Sequence, residues 1–321
     1  MIIRNAVGPY PSRRANDYIV IVDPIGPPKK CPYNCIYCPM GSTVVKTDRV
    51  YSLIPPKKIL DDYSHIMEKI EYGVKIILFN GMGDPFLNYF LENIVEEIKG
   101  FNREHGLDME LWVKTTLAPL VYHDRKNLLG LFDRVYVVFD SGSLDDLSLI
   151  NDPVNHVRIR DLVRYISSLD IDVIAETTLV NIGGEGNWVS GSLELIASWL
   201  GRAGVKQVLL KTLSRPPRSM DAKPVSKKIL YSVREYFIEH GFSVTVLWEG
   251  VKRGFGRIVL YGEDDLYSLL LRRPMDLLEL HNALELPIRD IAYLLSKLEN
   301  SGLIERIPWR TRIFYRGVYR R

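Results

Sequence analysis

Two apolar runs, IILF at residues 76–79 and VYVVF at residues 135–139, decide the fold class of this chain. A run that is apolar at consecutive positions suits a strand covered on both faces, as in a parallel sheet. Similar β-rich runs alternate with helical patterns from residue 18 to about residue 250. This alternation predicts βα units that build one parallel sheet.

The spacing of the runs predicts the number of units. We expect strands at residues 18–23, 75–80, 109–115, 134–140, 172–180, 205–211 and 243–248. We expect helices at about 57–71, 88–104, 144–150, 157–168, 191–203 and 225–240, with Asn88 and Ser143 as caps and Gly241 as a stop. Six such units favour an α/β fold of the partial (β/α)6, TIM-like barrel type over a complete eight-fold barrel.

The pattern changes after about residue 262. Three helical runs at 264–273, 275–284 and 287–300 precede two short β runs near 303–308 and 312–319. Three helices followed by a hairpin are the pattern of a winged helix. We therefore predict a barrel domain at 1–250 and a C-terminal winged-helix (α+β) domain at 264–321. The glycine-rich segment 251–263 would be a linker or an extra hairpin of the barrel.

Composition places the chain among globular proteins. Hydrophobic residues make up 46% and charged residues 25%, and the formal net charge of +3 is too small to indicate a partner. The charge is uneven, because residues 303–321 carry six arginines against Glu305. A basic terminus of this kind fits a nucleic-acid or acidic partner about as well as it fits a solvated end.

The cysteines indicate a metal site. Residues 1–20 lack the apolar core of a secretory signal, and no run approaches the roughly 18 apolar residues of a membrane helix, so we expect a cytoplasmic protein without membrane association. The chain has three cysteines, all within eight residues. An odd, clustered set is not a disulfide framework, and reduced thiolates suit a metal site.

The cluster reads Cys31-Pro-Tyr-Asn-Cys35-Ile-Tyr-Cys38, in a loop that follows a β run. Thiolates are the usual ligands of iron–sulfur clusters, which normally take four. Three cysteines at this spacing can bind three irons of a cubane and leave the fourth open, as a catalytic metal requires. Zinc, with His65 as a fourth ligand, is the alternative, although structural zinc sites use paired CxxC spacings and this chain has one.

This CxxxCxxC motif after the first strand resembles the signature of the radical S-adenosylmethionine (radical SAM) superfamily. The resemblance implies one 4Fe–4S cluster on Cys31, Cys35 and Cys38, with S-adenosylmethionine as the second cofactor. In the family, the aromatic residue before the last cysteine packs on the adenine of S-adenosylmethionine. Tyr37 occupies that position.

A second motif, Gly81-Met82-Gly83-Asp84-Pro85, follows the strand predicted at 75–80. Glycines allow the backbone to approach a ligand closely and to take positive φ. The motif is similar to the Gly-Gly-Glu-like element with which the family binds the amino group of S-adenosylmethionine. Asp84 stands where the family usually has Glu, so its side chain is one methylene shorter. A plain strand-to-helix turn is the structural alternative.

The likeness extends over most of residues 8–230. Residues 8–14 (GPYPSRR), residues 38–47 (CPMGSTVVKT) and residues 215–217 (RPP) resemble elements of an archaeal and bacterial branch of wyosine-type or molybdenum-cofactor-type Fe–S oxidoreductases. The functions of this branch are mostly unassigned. Known wyosine-forming enzymes use a second cluster, for which this chain has no further cysteines.

Barrel enzymes build their sites at the C-terminal ends of the strands. Polar residues there are further candidates. The candidates for contact with the cofactor are Thr115, Asp140 and Ser141. Asp140 and Ser141 resemble the polar pair that contacts ribose in relatives. The candidates for contact with the substrate or the cofactor are Lys114, Glu176, Asn181, Lys211 and Arg215. A cation after the sixth strand could hold the carboxylate of the cofactor or an anionic group of the substrate. Glu176 has a structural alternative as a buried acid.

The resemblance also implies a mechanism. A one-electron donor of the ferredoxin or flavodoxin kind reduces the cluster, and cleavage of S-adenosylmethionine gives a 5′-deoxyadenosyl radical. The radical removes hydrogen from a substrate, RNA or tRNA or a small molecule, in an oxidoreductase or transferase reaction. Asp84 would bind the ammonium group, Tyr37 the adenine, and Asp140 or Ser141 the ribose.

The predicted wing at 303–321 suggests a partner. Its arginines interleave with aromatic residues, which suits phosphate contacts and base stacking. The candidate nucleic-acid contacts are Arg306, Arg310, Arg312 and Arg316. Winged helices also bind peptides or second subunits. The rival class is a non-catalytic nucleic-acid-binding regulator that uses the cluster as a redox sensor.

Overall fold

The computed structural model describes residues 1–12, 14–15, 17–70, 73–123, 125–248 and 262–319. Fourteen strands lie in this part of the chain. They are β1 (Ala6–Ser12), β2 (Asp17–Val22), β3 (Lys30–Cys31), β4 (Val45–Lys46), β5 (Val74–Phe79), β6 (Glu110–Thr115), β7 (Arg134–Val138), β8 (Ile174–Ile182), β9 (Gln207–Thr212), β10 (Ala222–Pro224), β11 (Ser243–Leu247), β12 (Met275–Asp276), β13 (Ile304–Trp309) and β14 (Arg312–Gly317).

Ten α-helices connect or follow these strands. They are α1 (Pro56–Met67), α2 (Leu91–Glu104), α3 (Ala118–Tyr122), α4 (Leu144–Asp146), α5 (Ile159–Ser167), α6 (Ser190–Arg202), α7 (Lys227–Glu239), α8 (Glu263–Arg272), α9 (Leu277–Leu284) and α10 (Ile288–Asn300). Short 3-10 helices span Pro85–Leu87 and Lys126–Leu131, and a π-helix spans Leu147–Asn151. Within the described residues, none of the helices is both long enough and apolar enough to cross a membrane.

One large sheet has the strand order β1-β2-β5-β6-β7-β8-β9-β11, with the short β10 beside β8. Strands β2 to β11 along this order run parallel, and β1 joins β2 antiparallel at one edge. The seven parallel strands confirm the strands predicted from the sequence, within a few residues at each end. The protein is therefore a mixed α/β protein with a parallel central sheet.

The apolar runs explain why the sheet is central. Ile77 of β5, Val113 of β6 and Leu210 of β9 have no exposed surface, because helices and side chains cover the sheet. Ile21 of β2 and Leu247 of β11 line the same cavity although their strands lie near opposite ends of the sheet. The sheet thus curves around this cavity as an open, barrel-like wall.

Two of the predicted helices differ from the prediction. The helix predicted from residue 88 begins at Leu91, and the Asn88 side chain just before it accepts from Phe90 N and donates to the carbonyls of Pro24 and Ile54. The helix predicted at 144–150 becomes α4 followed by the π-helix Leu147–Asn151. The π-helix places Asn151 on the inner side of this segment, where its side chain is almost fully buried.

The C-terminal region contains the three predicted helices and a three-stranded antiparallel sheet, β12-β14-β13. β12 was missed, because Met275 and Asp276 were predicted to start a helix. The Asp276 side chain instead accepts from Glu279 N and caps α9. The assignment of this region as a winged helix, and the domain limits, stay predictions. Most of the predicted linker at 251–263 lies outside the described residues, and Glu263 already begins α8.

A buried ion pair joins the C-terminal region to the large sheet. Arg272 Nε of α8 lies 2.9 Å from the Asp23 carboxylate, and neither side chain is exposed. Arg272 also donates to Asn5 Oδ1, while Asp23 Oδ1 accepts from the backbone of Ile25 and Gly26. One carboxylate therefore organises the loop that leaves β2 and anchors α8 against it.

Replacing Arg272 with methionine leaves the Asp23 carboxylate buried without its cation. Removal of one partner of a buried pair leaves the other charge buried and uncompensated. We therefore expect the free energy of unfolding to fall by about 3 kcal/mol or more. Arg134→Met is the control, because the Arg134–Glu110 pair is half exposed, and we expect it to cost below about 1 kcal/mol. Urea unfolding followed by circular dichroism measures both, and equal losses would contradict the assigned role of the buried pair.

Candidate active site

A cavity of about 240 Å³ lies at the C-terminal ends of the parallel strands. This is the edge where α/β barrels place their sites. The predicted site residues that line it are Cys31, Cys35, Cys38, Tyr37, Gly81, Gly83, Asp84, Lys114, Thr115, Lys211 and Arg215. The structure thus brings both sequence motifs and the ends of β6 and β9 to one place.

A close backbone contact joins the two motifs. Lys30 N donates to Met82 O at 2.9 Å. Gly83 has φ +152°, and a Cβ there would lie 1.5 Å from the Lys30 carbonyl oxygen. Only glycine fits such an approach. The loop after β5 therefore fixes Cys31, the next residue, at the end of the sheet.

The cysteine sulfurs receive two side-chain hydrogen bonds. Lys29 Nζ donates to Cys38 Sγ at 3.1 Å, and Asn151 Nδ2 lies 3.5 Å from Cys35 Sγ. Burial raises the pKa of the Cys31 thiol, and it raises the pKa of Cys35 to about 11. At Cys38, burial acts in the same direction, but the charge and hydrogen bond of Lys29 outweigh it and lower the pKa. Lys29 thus favours a thiolate at Cys38.

The donor set fits an iron–sulfur cluster. Three thiols on one loop face one cavity, and each iron of a cluster takes one thiolate. Hydrogen bonds to the sulfurs, such as those of Lys29 and Asn151, are usual around clusters. Among the described residues, no three His, Cys, Asp or Glu side chains are grouped so as to hold a single metal ion.

Asp84 uses its carboxylate within the chain. Its oxygens accept from Thr116 N and Oγ1, each at 2.7 Å, from Thr115 Oγ1 at 3.0 Å and from Phe86 N at 3.1 Å. Burial raises the pKa of this carboxyl in spite of these bonds. Asp84 therefore holds the turn that follows β6, while Pro85 begins the buried 3-10 helix.

Tyr37 and Asp140, predicted to contact adenine and ribose, bind each other. Tyr37 OH donates to Asp140 Oδ2 at 2.5 Å, and Asn151 Nδ2 and Thr178 N donate to the same carboxylate. Ser141 Oγ bonds to Asn151 Oδ1 at 3.1 Å. Asp140 and Ser141 are almost fully buried behind the lining of the cavity, so their immediate effect is to position Tyr37 and Asn151.

Glu176 lies at the centre of a group of cations. It is fully buried on β8, and its Oε1 accepts from Lys114 Nζ at 2.6 Å and from Lys211 Nζ at 2.5 Å. Arg14 pairs with Oε2. Burial opposes ionisation of Glu176, yet the three cations hold its pKa well below the usual range. Burial and the repulsion of Lys114 and Arg14 lower the pKa of Lys211 to about 8, against the attraction of Glu176.

Two further candidates have structural bonds. Arg215 follows β9 and pairs with Glu279 of α9 at 2.5 Å, so it ties the site to the C-terminal region while lining the cavity. Asn181 lies outside the lining, and its Oδ1 accepts from Gly184 N in a turn.

The four arginines predicted to contact nucleic acid lie beside acids or aromatic rings. Arg306 pairs with Glu299 and Arg316 with Glu305, both at 2.7 Å, Arg312 pairs with Asp276, and Arg310 stands over the Trp309 ring. Trp309 and Phe314 are buried in an apolar cluster that includes Tyr37. The nucleic-acid contact stays a prediction, and these two rings pack against the site.

Sequence reasoning missed three residues. Lys29 had a local signal, since it precedes Cys31 by two positions. Arg14 appeared only as part of the residue 8–14 motif. Asn151 had no local signal, because its approach to Cys35 depends on the π-helix.

No protein-family model matches the chain. The chain is 26% identical over 326 residues to a UPF0026 protein of Methanocaldococcus jannaschii, covering 97% of this chain and 95% of the relative. It is 24% identical over 277 residues to a UPF0026 protein of Helicobacter pylori, covering 84% of each.

Solved structures show weaker likeness. A structure of TYW1 with a lysine-pyruvate adduct bound superposes with a TM-score of 0.49 at 14% identity, over 69% of this chain and 73% of that one. Streptococcus suis SuiB bound to S-adenosylmethionine superposes with a TM-score of 0.48 at 10% identity, over 74% of this chain and 52% of SuiB.

The lowered pKa of Lys211 predicts a distinct titration. We expect one resonance of ¹³C-dimethylated protein to titrate near pH 8, below the value of about 10.4 for a lysine in a model peptide, and to be absent from Lys211→Arg. Between these pH values the folded state binds fewer protons than the unfolded state, so the contribution of Lys211 to stability rises with pH. A Lys211 resonance that titrates at the model-peptide value would show that burial and the neighbouring cations do not lower its pKa.

Proposed function

We propose that this protein is a radical SAM enzyme that holds one 4Fe–4S cluster on Cys31, Cys35 and Cys38. The observation that carries the proposal is the position of these three thiols, which line one cavity together with the Gly81–Asp84 loop at the C-terminal edge of a parallel sheet. Three thiolates leave one iron of a cubane without a protein sulfur. The amino and carboxylate groups of S-adenosylmethionine would bind there.

When bound, the cluster would supply the electron for reductive cleavage of S-adenosylmethionine, the first step of radical chemistry on a substrate. The residues of the chain have other tasks. Lys29 and Asn151 donate to the sulfurs, and Gly83 lets the loop after β5 approach the cysteine loop. The role of Asp84 would be to hold Thr115 and Thr116 in place for the cofactor, since its own oxygens are occupied.

The Tyr37 ring would present its face to the adenine, with its hydroxyl fixed by Asp140. Phe314, Trp309 and Leu213 pack with Tyr37 in one apolar cluster and shield this side of the site from water. A water-poor cavity suits radical chemistry because it limits side reactions. A ferredoxin- or flavodoxin-like protein would deliver the electron.

Cluster binding and cleavage of S-adenosylmethionine test the proposal directly. After anaerobic reconstitution, addition of dithionite and S-adenosylmethionine should yield 5′-deoxyadenosine, measured by liquid chromatography. Cys35→Ala should abolish the product, because one of the three cluster ligands is lost. Ser148→Ala, at an exposed position, should match the wild type.

An intact wild-type cluster without 5′-deoxyadenosine would refute the enzyme assignment. That outcome would favour the rival function, a redox-sensing regulator without catalysis. Product formation would exclude the rival.

The hydrogen bond of Asn151 to Cys35 predicts an effect on the reduction potential. An N–H donor to a ligand sulfur stabilises the more negative, reduced cluster. Asn151→Ala should therefore shift the midpoint potential to a more negative value, measured by redox titration followed by electron paramagnetic resonance. Asn181→Ala removes an amide outside the cavity lining and should leave the potential unchanged. An unshifted potential in Asn151→Ala would exclude this tuning role.

A further inference from the structure

The Glu176 group carries more positive than negative charge. Among the described residues, three cations, Lys114, Lys211 and Arg14, form ion pairs with the one carboxylate of Glu176. The side chains of the three cations are between 12% and 18% exposed. Like charges at this depth repel one another and are costly without a compensating anion.

The cations face the cavity, and Glu176 lies behind them. Arg14, Lys114 and Lys211 belong to the cavity lining, whereas Glu176 does not. Counted over the described residues, seven lining residues are lysine or arginine, and Asp84 is the single lining carboxylate. A cleft lined by one sign of charge concentrates ligands of the other sign.

Three of the other lining cations already have partners, and S-adenosylmethionine does not supply a net anion. Lys29 already bonds to Cys38, and Arg272 and Arg215 pair with Asp23 and Glu279. S-adenosylmethionine has an ammonium, a carboxylate and a sulfonium, so it brings a net positive charge. Arg14, Lys114 and Lys211, which share the Glu176 carboxylate, are therefore the lining cations best placed to bind a further anionic ligand.

The same cations lie close to the cysteine loop. Lys211 Nζ is 6.0 Å from the centre of the Tyr37 ring, and Lys114 lines the same cavity as Cys38. A small molecule held by the three cations would thus lie beside the proposed cofactor. This is where a substrate of radical chemistry must be.

We propose that Arg14, Lys114 and Lys211 form a subsite for the phosphate monoester group of the substrate. The inference rests on the proposed function, because it names the substrate class of the same site. A phosphate monoester carries a charge near −2 and three acceptor oxygens, which match three cationic donor side chains that share one carboxylate. Arginine and lysine are the usual partners of phosphate.

Inorganic phosphate is the probe. Isothermal titration of the full-length protein at constant ionic strength should show binding, and Lys114→Met and Lys211→Met should each weaken it by about tenfold or more. Lys75→Met, which removes an exposed lysine, should bind as the wild type does. Lys211→Arg keeps the charge and should retain most of the affinity, which separates loss of charge from misfolding.

Two further titrations identify which anionic group the three cations bind. Malonate, a dicarboxylate of the same charge, should bind more weakly than phosphate, and tighter binding of malonate would overturn the phosphate assignment. In cluster-loaded protein, saturating S-adenosylmethionine should leave phosphate affinity unchanged. Competition between them would show that the cations hold the carboxylate of S-adenosylmethionine, and the substrate subsite would be wrong.

The phosphate subsite and the radical SAM assignment can fail independently of each other. The subsite is overturned, whether or not the cluster forms, if the wild type does not bind phosphate. It is also overturned if Lys114→Met and Lys211→Met bind phosphate as tightly as the wild type does. Phosphate binding by a protein that forms no 5′-deoxyadenosine would refute the radical SAM assignment and leave the anion subsite standing.

Discussion

The contact between Gly83 and Lys30 is the constraint on which the site depends. A side chain at residue 83 would collide with the Lys30 carbonyl, and the Lys30–Met82 hydrogen bond needs this approach. The contact sets Cys31 against the end of β5, and backbone bonds from Asn34 and Ile36 to the π-helix hold the rest of the cysteine loop. Two loops far apart in sequence thus become one wall of the cavity.

The buried acids around the site are also bound within the chain. Asp23, Asp84, Asp140 and Glu176 are buried, and each has its oxygens engaged by donors of the chain. The acids therefore fix backbone turns, an aromatic ring and several cations. By contrast, seven of the lysines and arginines in the described part of the chain line the cavity, so they are the groups with which an incoming anion would interact.

The sequence predicted the sheet well and the partners within the site poorly. Runs such as residues 76–79 and 135–139 are apolar because both faces of their strands are covered, and that requirement is local. The bond between Tyr37 and Asp140 joins residues that are 103 positions apart, and no local pattern encodes it. Asn88 shows the same limit, since its side-chain bonds to Pro24 and Ile54 are long-range and the helix begins three residues after it.

The C-terminal region shows why composition alone is ambiguous. Arginines that alternate with aromatic residues look the same whether the rings face bases or a protein interior. Here Phe314 is fully buried and Trp309 nearly so, in contact with the cluster around Tyr37. Arg272 pairs with Asp23, and Arg215 with Glu279, across the same junction. Because these contacts meet at the cavity, the C-terminal region forms part of the wall of the site, and changes in it should be felt by whatever binds there.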